Sequence, residues 1–134
     1  MDKTADLVKE WMHKADHDLG MALLALENRP DFADAICFHC QQTAEKYLKA
    51  YLVFLGIRFD RKHDLDYLLD LISEKESVGE EWYEHAERLD GFAVEVRYPD
   101  DWQEIPPDEV QKAYQGALAL KEFVLGRICG TSNC

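Results

Sequence analysis

From Phe38 to Leu69 the chain reads FHCQQTAEKYLKAYLVFLGIRFDRKHDLDYLL, and the spacing of the apolar residues in this stretch decides the fold. Cys40, Ala44, Tyr47, Tyr51 and Leu55 recur at intervals of three and four, which puts their side chains on one face of an α-helix. Backwards, the line takes in Ala33 and Ile36, with Asp31 as a candidate cap, and forwards it stops at Gly56, a residue suited to a helix C-terminus. Arg58 to Lys62 is a polar link. Leu65, Leu68, Leu69 and Ile72 then mark a shorter helix.

The same period governs the rest of the chain. Leu7, Val8, Trp11, Met12, Ala15, Leu19, Ala22, Leu23 and Leu26 predict a first helix from about Thr4, a possible N-cap, to Glu27. Asn28-Arg29-Pro30 breaks it, and so short a connection predicts an antiparallel neighbour. Ser77-Val78-Gly79-Glu80 has the form of a capping box, and Trp82, Ala86, Leu89, Ala93 and Val96 predict a fourth helix ending near Val96. Tyr98-Pro99 cannot easily continue it, because proline constrains the residue before it and has no amide to donate. A loop runs on to Pro106-Pro107. Val110, Ala113, Tyr114, Ala117, Leu118, Val124, Leu125 and Ile128 predict the last helix, with Lys121 as its one polar interruption. No stretch alternates with period 2. The expectation is an all-α protein, an up-and-down four-helix bundle with an additional short helix, as one domain over residues 1–129 followed by a disordered tail over 130–134.

Composition limits what such a bundle can do. With 15 basic against 27 acidic residues the formal net charge is −12, so the chain has no general basic field for duplex DNA, and any contact with nucleic acid or nucleotide must be local. No apolar run approaches the roughly 20 residues that span a bilayer, and the expected setting is soluble and cytoplasmic, without a membrane. Four cysteines in such a chain read as reduced thiols rather than a disulfide framework.

Within the opening stretch, Gln42, Lys46 and Lys49 fall inside an arc of about 60° at 100° per residue. Two lysines and an amide a turn apart can hold phosphate oxygens or base edges, with His63 brought near by the turn into the third helix. The same residues also suit a solvated face on which Gln41, Glu45 and Lys49 are successive i,i+4 partners. His13 and His17 are four residues apart, a spacing that can bring two imidazoles to one metal, but no third ligand accompanies them and solvent-facing histidines are expected. Cys37-Phe38-His39-Cys40 lacks both the βαβ setting of a redox motif and the second CxxC of a zinc site, and reads as buried thiols. Cys129 and Cys134, at a frayed end, could bridge between molecules on air oxidation. Asp100, Asp101, Glu104, Asp108 and Glu109 are magnesium-type ligands by chemistry, although Asp108 and Glu109 equally suit the positive end of the last helix.

Trp11 with Ala15, Asp18 and Leu19, the block Gln41-Gln42-x-x-Glu45-Lys46-x-Leu48-Lys49-Ala50, His63-Asp64-Leu65 and Arg97-Tyr98-Pro99 together resemble the HEPN family, the higher eukaryotes and prokaryotes nucleotide-binding domain. The resemblance covers nearly the whole chain. It implies a bundle that forms homodimers, that is often encoded beside a minimal nucleotidyltransferase, and that serves as a nucleotide-binding accessory subunit or an RNA-cleaving toxin. Ribonuclease branches carry an arginine followed after about four to six residues by a histidine; here Arg97 is followed by Tyr98 to Glu104 with no histidine. The imidazole that would serve 2′-hydroxyl attack is missing. Arg58 and His63 fit the spacing by coincidence, in the link between helices 2 and 3.

The first expectation is therefore a non-catalytic module that presents Gln42, Lys46, Lys49, His63 and Arg97 to a nucleotide or RNA and partners a minimal nucleotidyltransferase in a toxin-antitoxin-like pair, with no cofactor beyond that ligand and no metal site. The alternatives are an endoribonuclease toxin acting through Arg97 and a structural subunit without a ligand.

Overall fold

The computed structural model describes residues 3–93 and 104–130. These contain five α-helices and no strand: α1 (Lys3–Asn28), α2 (Ala33–Leu55), α3 (Leu65–Ser73), α4 (Glu80–Asp90) and α5 (Pro107–Cys129). The all-α expectation holds. Arg97, Asp100 and Asp101 lie outside the described residues, as do Val96 and residues 131–134; Gly130 closes α5, its N–H on the Gly126 carbonyl at 3.0 Å.

α2 is the axis, with α1 along one side, α5 along another, and α3 and α4 covering the rest. Antiparallel packing of α1 and α2 is visible in the pairs they form: Trp11 meets Lys49, whereas Asp18 meets Lys46 and His39. Ile36, Cys40, Ala44, Tyr47, Leu48, Tyr51 and Leu52 of α2 are buried against Leu65, Leu68, Leu69 and Ile72 of α3, Ala86 and Leu89 of α4, and Val110, Ala113, Ala117, Leu120 and Val124 of α5. α1 is covered on one arc only. Val8, Ala15, Asp18 and Ala22 are buried there, while Leu7 and Leu23, expected in the core, flank the arc and are 43% and 38% exposed.

Helix ends depart from expectation in instructive ways. Gly56 does stop α2: at φ 75° its N–H meets the Val53 carbonyl at 3.1 Å and the Ile57 N–H meets Leu52 at 2.9 Å, the paired bonds of a Schellman motif. Thr4 lies inside α1 rather than capping it. Asp31 does not cap α2, whose N-cap is Phe32, because its carboxylate is taken by Arg29 at 2.7 Å. The capping box at Ser77 is not formed either. α4 starts from Gly79, and the Ser77 carbonyl instead accepts from Arg127 Nη2 at 3.2 Å. α4 ends at Asp90, not near Val96, and turns through Gly91 and Phe92, whose N–H reaches Leu89 at 2.9 Å.

Candidate functional site

α2 buries Gln41, Thr43, Glu45 and Lys49, together with its apolar residues. Buried polar groups persist when hydrogen bonds replace those lost to water, and here they do. Lys49 Nζ reaches Glu45 Oε2 at 2.9 Å, with both side chains less than a tenth exposed. The same ammonium lies 5.5 Å from the Trp11 ring centroid and 5.8 Å from that of Phe59, and these two rings pack edge to face. Lys49 is thus an interior cation, not part of an outward stripe. Trp11 of α1 and Phe59 of the α2–α3 link cover a face that a helical wheel leaves open.

Glu45 also faces His63, whose Nδ1 is 3.2 Å from both carboxylate oxygens, and Gln41 Nε2 donates to the His63 carbonyl at 2.9 Å. Gln42 Nε2 donates to Gln41 Oε1 at 2.8 Å. Of the five residues expected at the site, Gln42, Lys49 and His63 therefore belong to one network, built through Gln41 and Glu45. The expected i,i+4 partners Gln41, Glu45 and Lys49 exist, but as a buried chain rather than a solvated face. Its exposed terminus is His63, with 67% of the side chain open to solvent. A carboxylate only accepts, so Nδ1 is the donor and Nε2 is not used by that contact.

Lys46 belongs to a second cluster. Asp18 of α1 accepts from Lys46 Nζ and from His39 Nδ1, the latter at 2.8 Å, and both of these side chains are about a quarter exposed at the α1–α2 seam. Burial alone would raise the Asp18 carboxyl, but the hydrogen bonds and charges of His39 and Lys46 outweigh it and hold the group below the usual carboxylate range. His39, Gln42 and Lys46 share one edge of α2, at i, i+3 and i+7. His39 and Glu45 were not expected as site residues. The signal for His39 is its position one turn before Gln42, and that for Glu45 is its place between Gln41 and Lys49.

The other polar clusters are interhelical ties. Tyr47 Oη donates to Asp16, which also takes Lys121 Nζ at 3.1 Å, joining α1, α2 and α5. Burial first, then the Asp16 carboxylate, hold the Tyr47 phenol far above its ordinary value. Tyr51 Oη and Arg127 Nη1 converge on Glu76. Cys37 and Cys40 are buried thiols, as expected, and burial pushes the Cys40 thiol up to about 12, away from redox chemistry. His13 and His17 rings lie 4.5 Å apart on the exposed side of α1, and among the described residues no group of three or more His, Cys, Asp or Glu is placed to hold a metal ion. A surface depression of about 420 Å³ lined by Asp66, Tyr83, Glu87 and Asp90 is acidic and repels phosphate.

An antiparallel α1–α2 pair with a polar seam, closed by three further helices, defines a helical-bundle class of protein. The HEPN domain model matches residues 8–128, and the chain belongs to the HEPN family. Among solved structures it is similar to ST0689, described as an archaeal HEPN homologue, at 28% identity and TM-score 0.72 over 90% of this chain and 97% of that one. It is similar also to TT1696 from Thermus thermophilus, at 30% identity and TM-score 0.75 over 87% of this chain and 94% of that one. No curated protein matches. No helix among the described residues is long and apolar enough to cross a membrane.

Proposed function

We propose that this HEPN protein is a non-catalytic, nucleotide-binding accessory subunit, working as a homodimer beside a minimal nucleotidyltransferase in a toxin-antitoxin-like pair. The observation that carries the reading is the presentation of His63: buried Gln41 holds its backbone carbonyl and buried Glu45 its imidazole, while the side chain is itself largely in solvent. Buried polar networks cost stability unless fully satisfied, and a network that ends on an exposed ring is accounted for by what that ring contacts. Lys46, partly exposed and positioned by Asp18, adds a cation on the adjoining edge of α2, and Gln42, bonded to Gln41, shares that edge. Arg97 joins them by resemblance alone. Lys49, an interior cation paired with Glu45, positions the site rather than touching the ligand.

The purified protein is expected to leave single-stranded RNA intact and to bind a nucleotide in a fluorescence titration. His63→Ala and Lys46→Ala should each weaken binding by about tenfold, the size of one charge-assisted hydrogen bond. A short nucleotidyltransferase encoded in the neighbouring reading frame is expected, and co-expression with it should give a stable complex. RNA cleavage abolished by Arg97→Ala would make the protein a nuclease instead, and a stable complex without nucleotide affinity would make it a structural subunit.

A further inference from the structure

The link between α2 and α3 is built more firmly than a connection requires. Its apolar residues Ile57 and Phe59 turn inward to pack on the core, which throws Arg58, Asp60, Arg61 and Lys62 outward. Backbone bonds fix its start at Gly56 and Ile57. The Asp60 N–H donates to Tyr67 Oη at 3.0 Å, and the Lys62 N–H to the Asp60 carbonyl at 2.8 Å. Gln41 and Glu45 hold His63, and the Leu65 N–H meets Asp90 Oδ1 at 2.9 Å. The loop is therefore pinned to α2 and α3, and the start of α3 to α4.

Four exposed side chains that can carry positive charge, Arg58, Arg61, Lys62 and His63, fall within positions 58–63, against Asp60 and the adjoining Asp64. In a chain of formal charge −12 this is a local reversal of sign. None of the ion pairs found among the described residues includes Arg58, Arg61 or Lys62; Lys3, Lys9, Lys14, Lys75 and Arg88 are likewise outside those pairs, but they are spread over α1, α4 and the α3–α4 turn, whereas these three share one loop. Lys62 lies over the Tyr67 ring at 4.8 Å from its centroid, which leaves its ammonium at the surface of the loop. Guanidinium groups fit phosphate oxygens as planar two-pronged donors, and cations on a preorganised loop bind without a large ordering cost.

We infer that the α2–α3 loop is the phosphate-contacting surface of the nucleotide site, with His63 holding one phosphate group and Arg58, Arg61 and Lys62 taking the remainder of a polyphosphate chain. The inference rests on the nucleotide-binding reading above and names its ligand class: a nucleotide with more than one phosphate. A nucleoside triphosphate then binds more tightly than the monophosphate, and the difference resides in the loop cations.

The test titrates the full chain with ATP, AMP, an oligouridylate and a polyglutamate peptide, without magnesium and at two salt concentrations. The expected order is ATP at least tenfold tighter than AMP, with ATP binding weakened by salt as screening grows. The Arg58→Gln/Arg61→Gln double variant should weaken ATP about tenfold or more while changing AMP no more than about twofold, whereas His63→Gln weakens both. Wild-type binding with the double variant unaffected would overturn the inference and move the site to the α1–α2 seam, leaving the nucleotide reading intact. No binding of any nucleotide would overturn both. An oligouridylate preferred over ATP would replace the triphosphate with an RNA strand, and polyglutamate binding as well as ATP would make the loop a protein-docking surface. Circular dichroism identical to wild type establishes that the variants are folded, since both arginines are exposed.

Discussion

One carboxylate, Asp18, ties α1 to α2 by accepting from His39 and Lys46. Its folded pKa lies below the unfolded value of about 3.9, so its stabilisation is complete above that value and is lost as pH falls through the folded one. Asp90 has the opposite sign. Burial raises it, the Leu65 N–H pulls it back, and nearby Asp66 raises it further, leaving a folded pKa above the unfolded one. Its charge is therefore a cost at neutral pH, relieved as pH falls through the folded value. Urea denaturation should find Asp18→Asn destabilising by about 1–3 kcal/mol at pH 7, with the gap from wild type closing as pH falls below about 4. Asp90→Asn keeps an oxygen for the Leu65 N–H and should cost less than Asp18→Asn at pH 7. A larger loss for Asp90→Asn, or an Asp18→Asn gap independent of pH, would contradict these assignments. In the sequence Asp18 was legible only as part of the family resemblance. Its partners lie 21 and 28 residues away, and spacing along one helix carries no information about them. Lys49 is misread for a related reason: periodicity gives its direction from the axis of α2, but only the fold brings Trp11 and Phe59 across it.

At the scale of helices, positions and lengths were largely readable from apolar period, whereas the caps were not. Gly56 was legible because a left-handed residue at a helix end is a local requirement. The start of α3 was not, since its first N–H is satisfied by Asp90, 25 residues further on, instead of by Asp64. Ser77 and Asp31 have suitable chemistry for caps, yet α4 starts only after Gly79 and α2 after Phe32, and Arg29 holds the Asp31 carboxylate. Glycines inside helices give a graded series of tests. Gly20 and Gly126 have open space where a Cβ would go, so Gly20→Ala and Gly126→Ala should each stabilise by about 0.5–1 kcal/mol. At Gly116 the Cβ would lie 3.3 Å from His85 Nδ1, a buried atom without a hydrogen-bond partner among the described residues, and Gly116→Ala should gain less than the other two. Gly56→Ala, at φ 75°, should lose about 1 kcal/mol. Calorimetric melting of the four variants checks the order, and a gain at Gly116 equal to that at Gly20 would show that the α4–α5 contact yields freely.

For the whole molecule, a chain this acidic cannot draw in a phosphate ligand by its long-range field, so the proposed nucleotide binding requires a small region of reversed sign. The region is discontinuous in sequence. The buried Gln41–Glu45–Lys49 chain on α2 and the exposed link from Arg58 to His63 become one structure only when α3 folds back and Asp90 fixes its first turn. That is why Gln42, Lys49 and His63 could be grouped from sequence while the roles within the group could not: which side chains support and which face outward is settled by burial. NMR titration of the histidine side chains with ATP tests the central claim most directly, because the protein's five histidines include exposed His13 and His17 as internal controls. The expected result is a saturable shift of the His63 ring signals, with those of His13 and His17 unchanged. ATP that leaves His63 unmoved, or that shifts all exposed histidines alike, would contradict the account.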